Sequence, residues 1–239
     1  AKLNQQRNRR YKSWFTNKVL NKSSNWDRCS ITPGTKFMEL LSNKIYYNFG
    51  NNPLCKISTS TDPGEGEHKL FHHVRDNVEY YKDKTTIVYG LDADLIMLCI
   101  NHLHICSKLY LFRETPEFIK HIDKSLNPNE LYILDIAELA SNICYTLNNN
   151  KICDTNQEKN KLFDYIFICF MLGNDFMPHF PSIDIRHGGI DVITESYKRT
   201  IARHGSGLTT NTSIKWKYLK TMIRDLSKVE YDMIMKHYV

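Results

Sequence analysis

No stretch of this sequence is apolar for long enough to cross a bilayer. The longest such run, Tyr165 to Leu172, falls far short of the roughly 20 residues a spanning helix needs. No signal peptide is present either, because the polar, basic start is followed by no apolar segment. The seven cysteines are odd in number and include no CxxC pair, which argues against a disulfide framework and for a reduced, intracellular protein. We expect the cytoplasm rather than the nucleus. No internal repeat is seen. Acids are missing from the first twelve residues, which hold Lys2, Arg7, Arg9, Arg10 and Lys12. With a net charge of +6, that imbalance favours a polyanionic partner, most simply nucleic acid. The sequence opens on Ala1, without methionine, directly into this dense block, and so reads as a piece of something longer.

What is present suffices for a packed core: 41% of the residues are hydrophobic and 12% aromatic. Cys99, His102, His104 and Cys106 form the densest group of soft ligands, but their spacing matches no usual structural zinc pattern. Buried thiols beside surface histidines are the expected reading.

Residues 2 to 15 read as a helix with Lys2, Gln6, Arg9 and Arg10 on one face, at i, i+4, i+7 and i+8. Thr35 can cap a helix to about Asn48, with Phe37, Leu41, Ile45 and Phe49 as its apolar stripe. A short strand is expected at 56–59 and a helix from Glu67 to about Lys82. Strands follow at 85–89, 109–113 and 132–134, with helices over 92–100 and 136–147. Residues 148–161 read as a polar surface insertion, and 162–172 as a fully buried helix. A loop spans 173–181, a helix 189–199, a polar linker 203–213 and a mixed-charge helix 214–237. Strands alternating with helices predict an α/β fold with a mostly parallel central sheet flanked by helices.

Three acidic clusters carry the chemistry. Glu65 and Glu67 lie two positions apart in PGEGEHK, with Gly64 and Gly66 allowing the backbone to bend. Asp92 and Asp94 follow the strand ending at Gly90, at the edge where open α/β sheets gather their sites. Asp175 follows the apolar 162–172 stretch in GNDF. Crowded carboxylates resist joint ionisation unless solvated or bridged by a hard cation. Each cluster has a plain alternative: Asp92 as a helix cap, Asp175 as an Asx-turn residue, the glutamates as solvated first-turn acids. Together they point to Mg²⁺ or Mn²⁺, in a pair suited to phosphodiester hydrolysis.

PGEGEHKL, VYGLDADLIML and FICFMLGNDFMPHFPSIDIRHGGID resemble the signature blocks of the Xrn-type 5′→3′ exoribonucleases. AKLNQQRNRRYK and ITPGTKFM resemble that family's N-terminal nuclease region, and GLTTNTSIKWKYLKTMIRDL the start of its helical middle region. The blocks occur in family order over nearly the whole chain. The resemblance implies a nuclease core over 1–202, related to the flap-endonuclease and PIN-like nucleases, then a linker and the start of the helical region over 203–239. It implies metal-dependent, processive release of 5′-mononucleotides from RNA bearing a 5′-monophosphate, by a monomer that uses two Mg²⁺ or Mn²⁺ ions. Glu65, Glu67, Asp92, Asp94 and Asp175 match the family's metal-binding acids. Lys2, Gln6, Arg9 and Arg10 match its 5′-phosphate pocket, and the physics agrees. Arginine offers a planar fork to phosphate oxygens, lysine a point charge and glutamine a neutral donor.

The family also uses acids upstream of the position of Ala1, and C-terminal elements that support the substrate channel. Neither belongs to this sequence, so weak activity is expected of the piece alone. A non-catalytic RNA-binding pseudo-nuclease and a flap-type DNA nuclease are the competing readings. Other residues have only loose expectations. His68 and Lys69 could touch phosphate or simply cap and pack. Trp14, Phe15 and the Tyr80/Tyr81 pair could stack on bases but suit a core better. Arg186 is placed to help hold the loop at the metal site.

Overall fold

In the computed structural model, residues 2–20, 26–114, 124–127, 130–174, 177–210 and 212–238 are described. Asp175 lies outside them. So do the side chains of Lys2, Gln6 and Arg186, although their backbones are described. The chain divides into two units, Ala1–His73 and Val74–Val239.

In the first unit, α1 (Lys2–Val19) is longer than expected, and of the predicted basic face the side chains of Arg9 and Arg10 are described. After a single 3-10 turn at Arg28–Ser30, α2 (Lys36–Phe49) starts where Thr35 predicts it, the Thr35 side chain accepting from the Met38 N–H. The apolar stripe of α2 is only partly covered. Phe37 and Ile45 are half-buried, and the Trp26 ring meets Phe37 edge-on at 4.9 Å, whereas Leu41 and Phe49 are exposed. The expected strand at 56–59 does not form. That segment is instead tied down by side chains, as described below. Then α3 (Gly66–Asp76) follows the acidic turn. The predicted helix to Lys82 is broken at Asn77, and α4 (Val78–Tyr81) restarts it for one turn.

The second unit holds the sheet: β1 (Thr85–Tyr89), β2 (Lys108–Glu114) and β3 (Leu131–Asp135). The fold is mixed α/β, but the sheet of the described residues is not mostly parallel. β1 pairs with β2 in parallel and β3 with β2 antiparallel. The parallel pair is joined by α5 (Asp94–His102), as a crossover requires. Val88, Leu109 and Leu111 are buried, with α5 and α6 (Ile136–Leu147) lying against β2.

Asp154 caps α7 (Thr155–Cys169), so the predicted surface insertion is shorter than expected. Nor is 162–172 buried on all sides. Within α7 its fully buried residues are Ile168 and, unexpectedly, Asp164, while Phe170 in the 3-10 turn beyond is exposed. Apolar content alone does not separate a helix enclosed all round from one packed on two faces. α8 (Gly189–His204) and α9 (Trp216–Tyr238) complete a helical layer whose core includes Ile168, Ile193, Tyr197, Leu208, Met222 and Leu226. Each such side chain contributes about 1.5–3 kcal/mol by leaving water.

Candidate metal and phosphate site

The acidic turn is built before α3 begins. Asp62 accepts from the Ser58 hydroxyl at 2.8 Å and the Thr59 N–H at 3.0 Å, closing residues 58–62 into a loop. These bonds, the Ser58 hydroxyl foremost, hold the Asp62 carboxyl below the usual carboxylate range. Lys69 reaches back from α3 and donates to the carbonyls of Thr59 at 2.8 Å and Asp62 at 3.4 Å. Between these anchors Gly64 takes φ +97°, a left-handed conformation that side chains resist. Gly66 has ordinary backbone and opens α3, so only one of the two glycines supplies the bend.

Glu65 stands just ahead of α3 and its carbonyl accepts the Lys69 N–H at 2.9 Å. Glu67 lies in the first turn, where the helix dipole favours an anion. Glu65, Glu67 and His68 each offer a ligand atom, and all three atoms lie within 4.8 Å of one another. The glutamates are half-buried and His68 is exposed. The carboxylates are donors that a hard cation prefers; His68 adds a borderline nitrogen whose part the sequence left open.

In the second unit, β1 runs into Gly90, whose N–H donates to the Phe112 carbonyl at 3.2 Å. A Cβ at Gly90 would strike Leu95 Cδ1, which folds back from α5. That approach turns the chain sharply and puts Asp92 and Asp94 beyond the carboxyl end of β1, both exposed. The Asp94 N–H reaches Asp92 Oδ1 at 3.5 Å, but the cap position of α5 is Ala93 and no side chain caps it.

Asp175 lies outside the described residues, and the described residues on either side of 175–176 are bonded to one another. Gly173 takes φ +84°, and a Cβ there would lie 2.7 Å from the His179 nitrogen. Asn174 and Met177 bond twice, through Asn174 N–H to Met177 O at 2.8 Å and Met177 N–H to Asn174 Oδ1 at 2.9 Å.

Of the phosphate residues, Arg9 is exposed and Arg10 half-buried, its Nη1 donating to Thr32 Oγ1 at 3.0 Å. The bond joins the basic block to the ITPGT turn. A guanidinium carries five N–H donors, so the bond leaves others for a phosphate. Trp14 and Phe15 are exposed, not core, and Lys18 lies 5.1 Å from the Trp14 ring.

The soft-ligand group does not make a site. Cys99 and Cys106 are buried as expected, and burial pushes the Cys99 thiol up to about 12. His102, however, is buried as well, while His104 is exposed. Both ring nitrogens of His102 are engaged, Nδ1 with the Leu98 carbonyl at 2.7 Å and Nε2 with Arg75 Nη1 at 2.9 Å. The protonated Nδ1 and the accepting Nε2 leave no lone pair for a metal.

Asp164 is the residue that pattern reasoning missed altogether. It accepts from the Tyr197 hydroxyl at 2.7 Å, from the N–H groups of Leu208 and Thr209 at 2.9 and 2.7 Å, and from the Thr209 hydroxyl at 2.6 Å. The supposed linker at 203–213 is therefore fastened to α7 through one carboxylate. An acid inside an otherwise apolar run was the available signal.

Residues 1–115 match the family model described as XRN 5′-3′ exonuclease N-terminus, and residues 155–238 match the Xrn1 helical domain. The chain is 28% identical to 5′-3′ exoribonuclease 2 of Eremothecium gossypii, over 100% of this chain and 31% of that protein. It is 26% identical to the protein of the same name from Debaryomyces hansenii, over 100% and 29%. For the one from Schizosaccharomyces pombe the figures are 27%, 99% and 29%. The chain thus spans just under a third of the length of these relatives.

Proposed function

Because the chain belongs to the Xrn-type 5′→3′ exonuclease family, whose two domain models it matches in order, we propose that it forms part of an exoribonuclease. The enzyme would act processively on RNA with a 5′-monophosphate and release 5′-mononucleotides. The convergence of Glu65, Glu67 and His68 within 4.8 Å carries the reading, because a braced turn concentrates donors where a hard cation would sit. The parallel β1–β2 pair with Asp92 and Asp94 beyond its carboxyl end supports the relation to PIN-like and flap-type nucleases.

Glu65, Glu67, Asp92, Asp94 and Asp175 would hold Mg²⁺ or Mn²⁺. When bound, a pair of such ions supplies Lewis acidity for in-line phosphodiester hydrolysis. The residues of the chain do the rest. Lys2, Gln6, Arg9 and Arg10 would grip the terminal phosphate, and the grip sets direction because only a monophosphate end fits. Asp62 and Lys69 hold the acidic turn in shape. Asp92, just ahead of α5, and Asp94, in its first turn, would offer their carboxylates beyond β1. An odd number of cysteines with no CxxC pair favours a reduced setting, and as part of this proposal we place the protein in the cytoplasm.

The test is end selectivity in the full-length protein. RNA with a 5′-monophosphate should decay with Mg²⁺ present, and the same RNA with a 5′-hydroxyl should persist. Equal decay of both would remove the phosphate assignment. Binding without decay of either would favour a pseudo-nuclease.

A further inference from the structure

Helix α9 separates its residues sharply by chemistry. Leu219, Met222 and Leu226 point into the core, and Asp225 sits among them, 7% exposed. At 100° per residue the opposite side is an arc of about 120°. It carries Lys217, Lys220, Arg224 and Lys228, all exposed, at intervals of three, four and four residues. Trp216 begins the arc, 69% exposed, and Tyr231 falls inside it near the far end, 71% exposed. No acid falls in the arc. Of the acids of α9, Glu230 and Asp232 project outside it and Asp225 is turned inward, where Arg203 and Lys228 meet it at 2.9 and 3.1 Å. Lys217, Lys220 and Arg224 have no ion-pair partner among the described residues.

An ordinary solvated helix face mixes charge signs, since i,i+4 pairs of opposite sign stabilise it and like charges at that spacing destabilise it. Here Lys220, Arg224 and Lys228 repeat the same sign at i,i+4 twice. The arrangement costs the isolated helix a few tenths of a kcal/mol per pair, and a polyanion laid along the face would reverse that cost. The cations climb the helix in axial steps of about 4.5, 6 and 6 Å, so the row is about 16 Å long. Exposed aromatic rings toward both ends add what a purely electrostatic row lacks, a surface on which unpaired bases stack.

We propose that this face of α9 is a second RNA-binding surface, one that holds the sugar-phosphate backbone of single-stranded RNA on Lys217, Lys220 and Arg224 and stacks bases on Trp216 and Tyr231. The surface shares no residue with the set assigned to the terminal phosphate and does not discriminate the 5′ end. It rests on RNA being the ligand of the protein, as in the preceding section. Its role there is retention: a row of backbone contacts keeps the strand associated between successive cleavages at the end.

The test uses the protein with Lys217, Lys220 and Arg224 all replaced by glutamine. These side chains are exposed, so the melting temperature should match wild type, and an unchanged melt confirms that the fold is intact. Binding of a fluorescent single-stranded uridine oligonucleotide with a 5′-hydroxyl end is measured over a range of KCl. Each phosphate contact on a single strand contributes about 0.7 to the slope of log affinity against log salt, so the variant should lose about 2 from that slope. A Trp216→Ala, Tyr231→Ala variant should bind the oligonucleotide more weakly and bind heparin, which has no bases, as wild type does. An unchanged salt slope in the glutamine variant overturns the proposal. Equal loss of poly-glutamate and RNA binding in that variant, with no effect of the aromatic changes, also overturns it and makes the face a protein-docking surface. Decay that ignores the 5′ end, with the slope change intact, would sink the terminal-phosphate assignment and leave the α9 proposal standing.

Discussion

The Lys69 ammonium donates to the carbonyl oxygen of Thr59 at 2.8 Å, across the turn that presents Glu65 and Glu67. A cation at the fourth position of α3 thus braces the acids and is not itself assigned to substrate. Replacing it with methionine keeps the stem and removes the donor. We predict a loss of about 1–2 kcal/mol in stability and a rise in the Mg²⁺ concentration needed for half-maximal RNA decay. Titration of the full-length variant with Mg²⁺ checks the second outcome. An unchanged requirement would mean that the turn holds its shape without the brace.

Gly90→Ala should be more damaging than its size suggests. The added methyl would meet Leu95 Cδ1, and Leu95 is buried. Relief requires Leu95 to change rotamer within its buried setting or the turn that carries Asp92 and Asp94 to shift. We expect a loss of about 1–3 kcal/mol from overpacking together with a fall in nuclease rate. A combined Gly90→Ala, Leu95→Ala variant should regain part of the rate, although it loses core packing. Comparing single-turnover rates of the two checks this.

Asp164→Ala removes the acceptor for the Tyr197 hydroxyl, two backbone N–H groups and the Thr209 hydroxyl at once. A buried donor left unpaired costs about 1–3 kcal/mol, so the combined loss should exceed about 3 kcal/mol. Tyr197→Phe removes one partner only and should cost about 1 kcal/mol. Urea denaturation of both variants measures the contrast. A loss near 1 kcal/mol for Asp164→Ala would show that the 205–215 segment does not depend on this carboxylate.

His102 gives the second unit an acid-sensitive element. Burial lowers its affinity for a proton most, its bond to the Leu98 carbonyl opposes that, and Arg75 and His104 add to the lowering. A histidine with a depressed folded value stabilises the fold fully above the ordinary value of about 6.5, and this is lost as pH falls toward the folded value. Stability should therefore decline on acidification below about pH 6.5. His102→Gln keeps an acceptor for Arg75 but does not titrate, and should flatten that limb of the profile. Thermal melts between pH 7.5 and 5 check it.

Much of this was legible in the sequence wherever a local rule dominates. The Thr35 cap, the β-branched run of β1 and the helix of α1 all formed as their residues require. The acid pair in GEGE converged, as its spacing and the bend at Gly64 allow. What escaped depends on partners distant in sequence. Asp164 finds its donors 33 to 45 residues away, and His102 is buried against an arginine 27 residues earlier. The direction of β3 was also beyond local pattern, because alternation along one strand carries no information about the sense of its neighbour. The strand expected at 56–59 failed for a further reason. The carbonyl and N–H of Thr59 are taken by Lys69 and Asp62, which compete with a sheet for that backbone.

The central claim is that the clustered acids serve metal-dependent removal of nucleotides from the 5′ end of RNA. The most direct measurement is release of mononucleotides from 5′-monophosphorylated RNA by the full-length protein with Mg²⁺, wild type against Asp92→Ala/Asp94→Ala. Both side chains are exposed and the Asp92 contact to the Asp94 N–H is long, at 3.5 Å, so the double variant should lose little stability, which a thermal melt checks. The account predicts robust release by wild type and release at background by the variant. Release by the variant at the wild-type rate would contradict it.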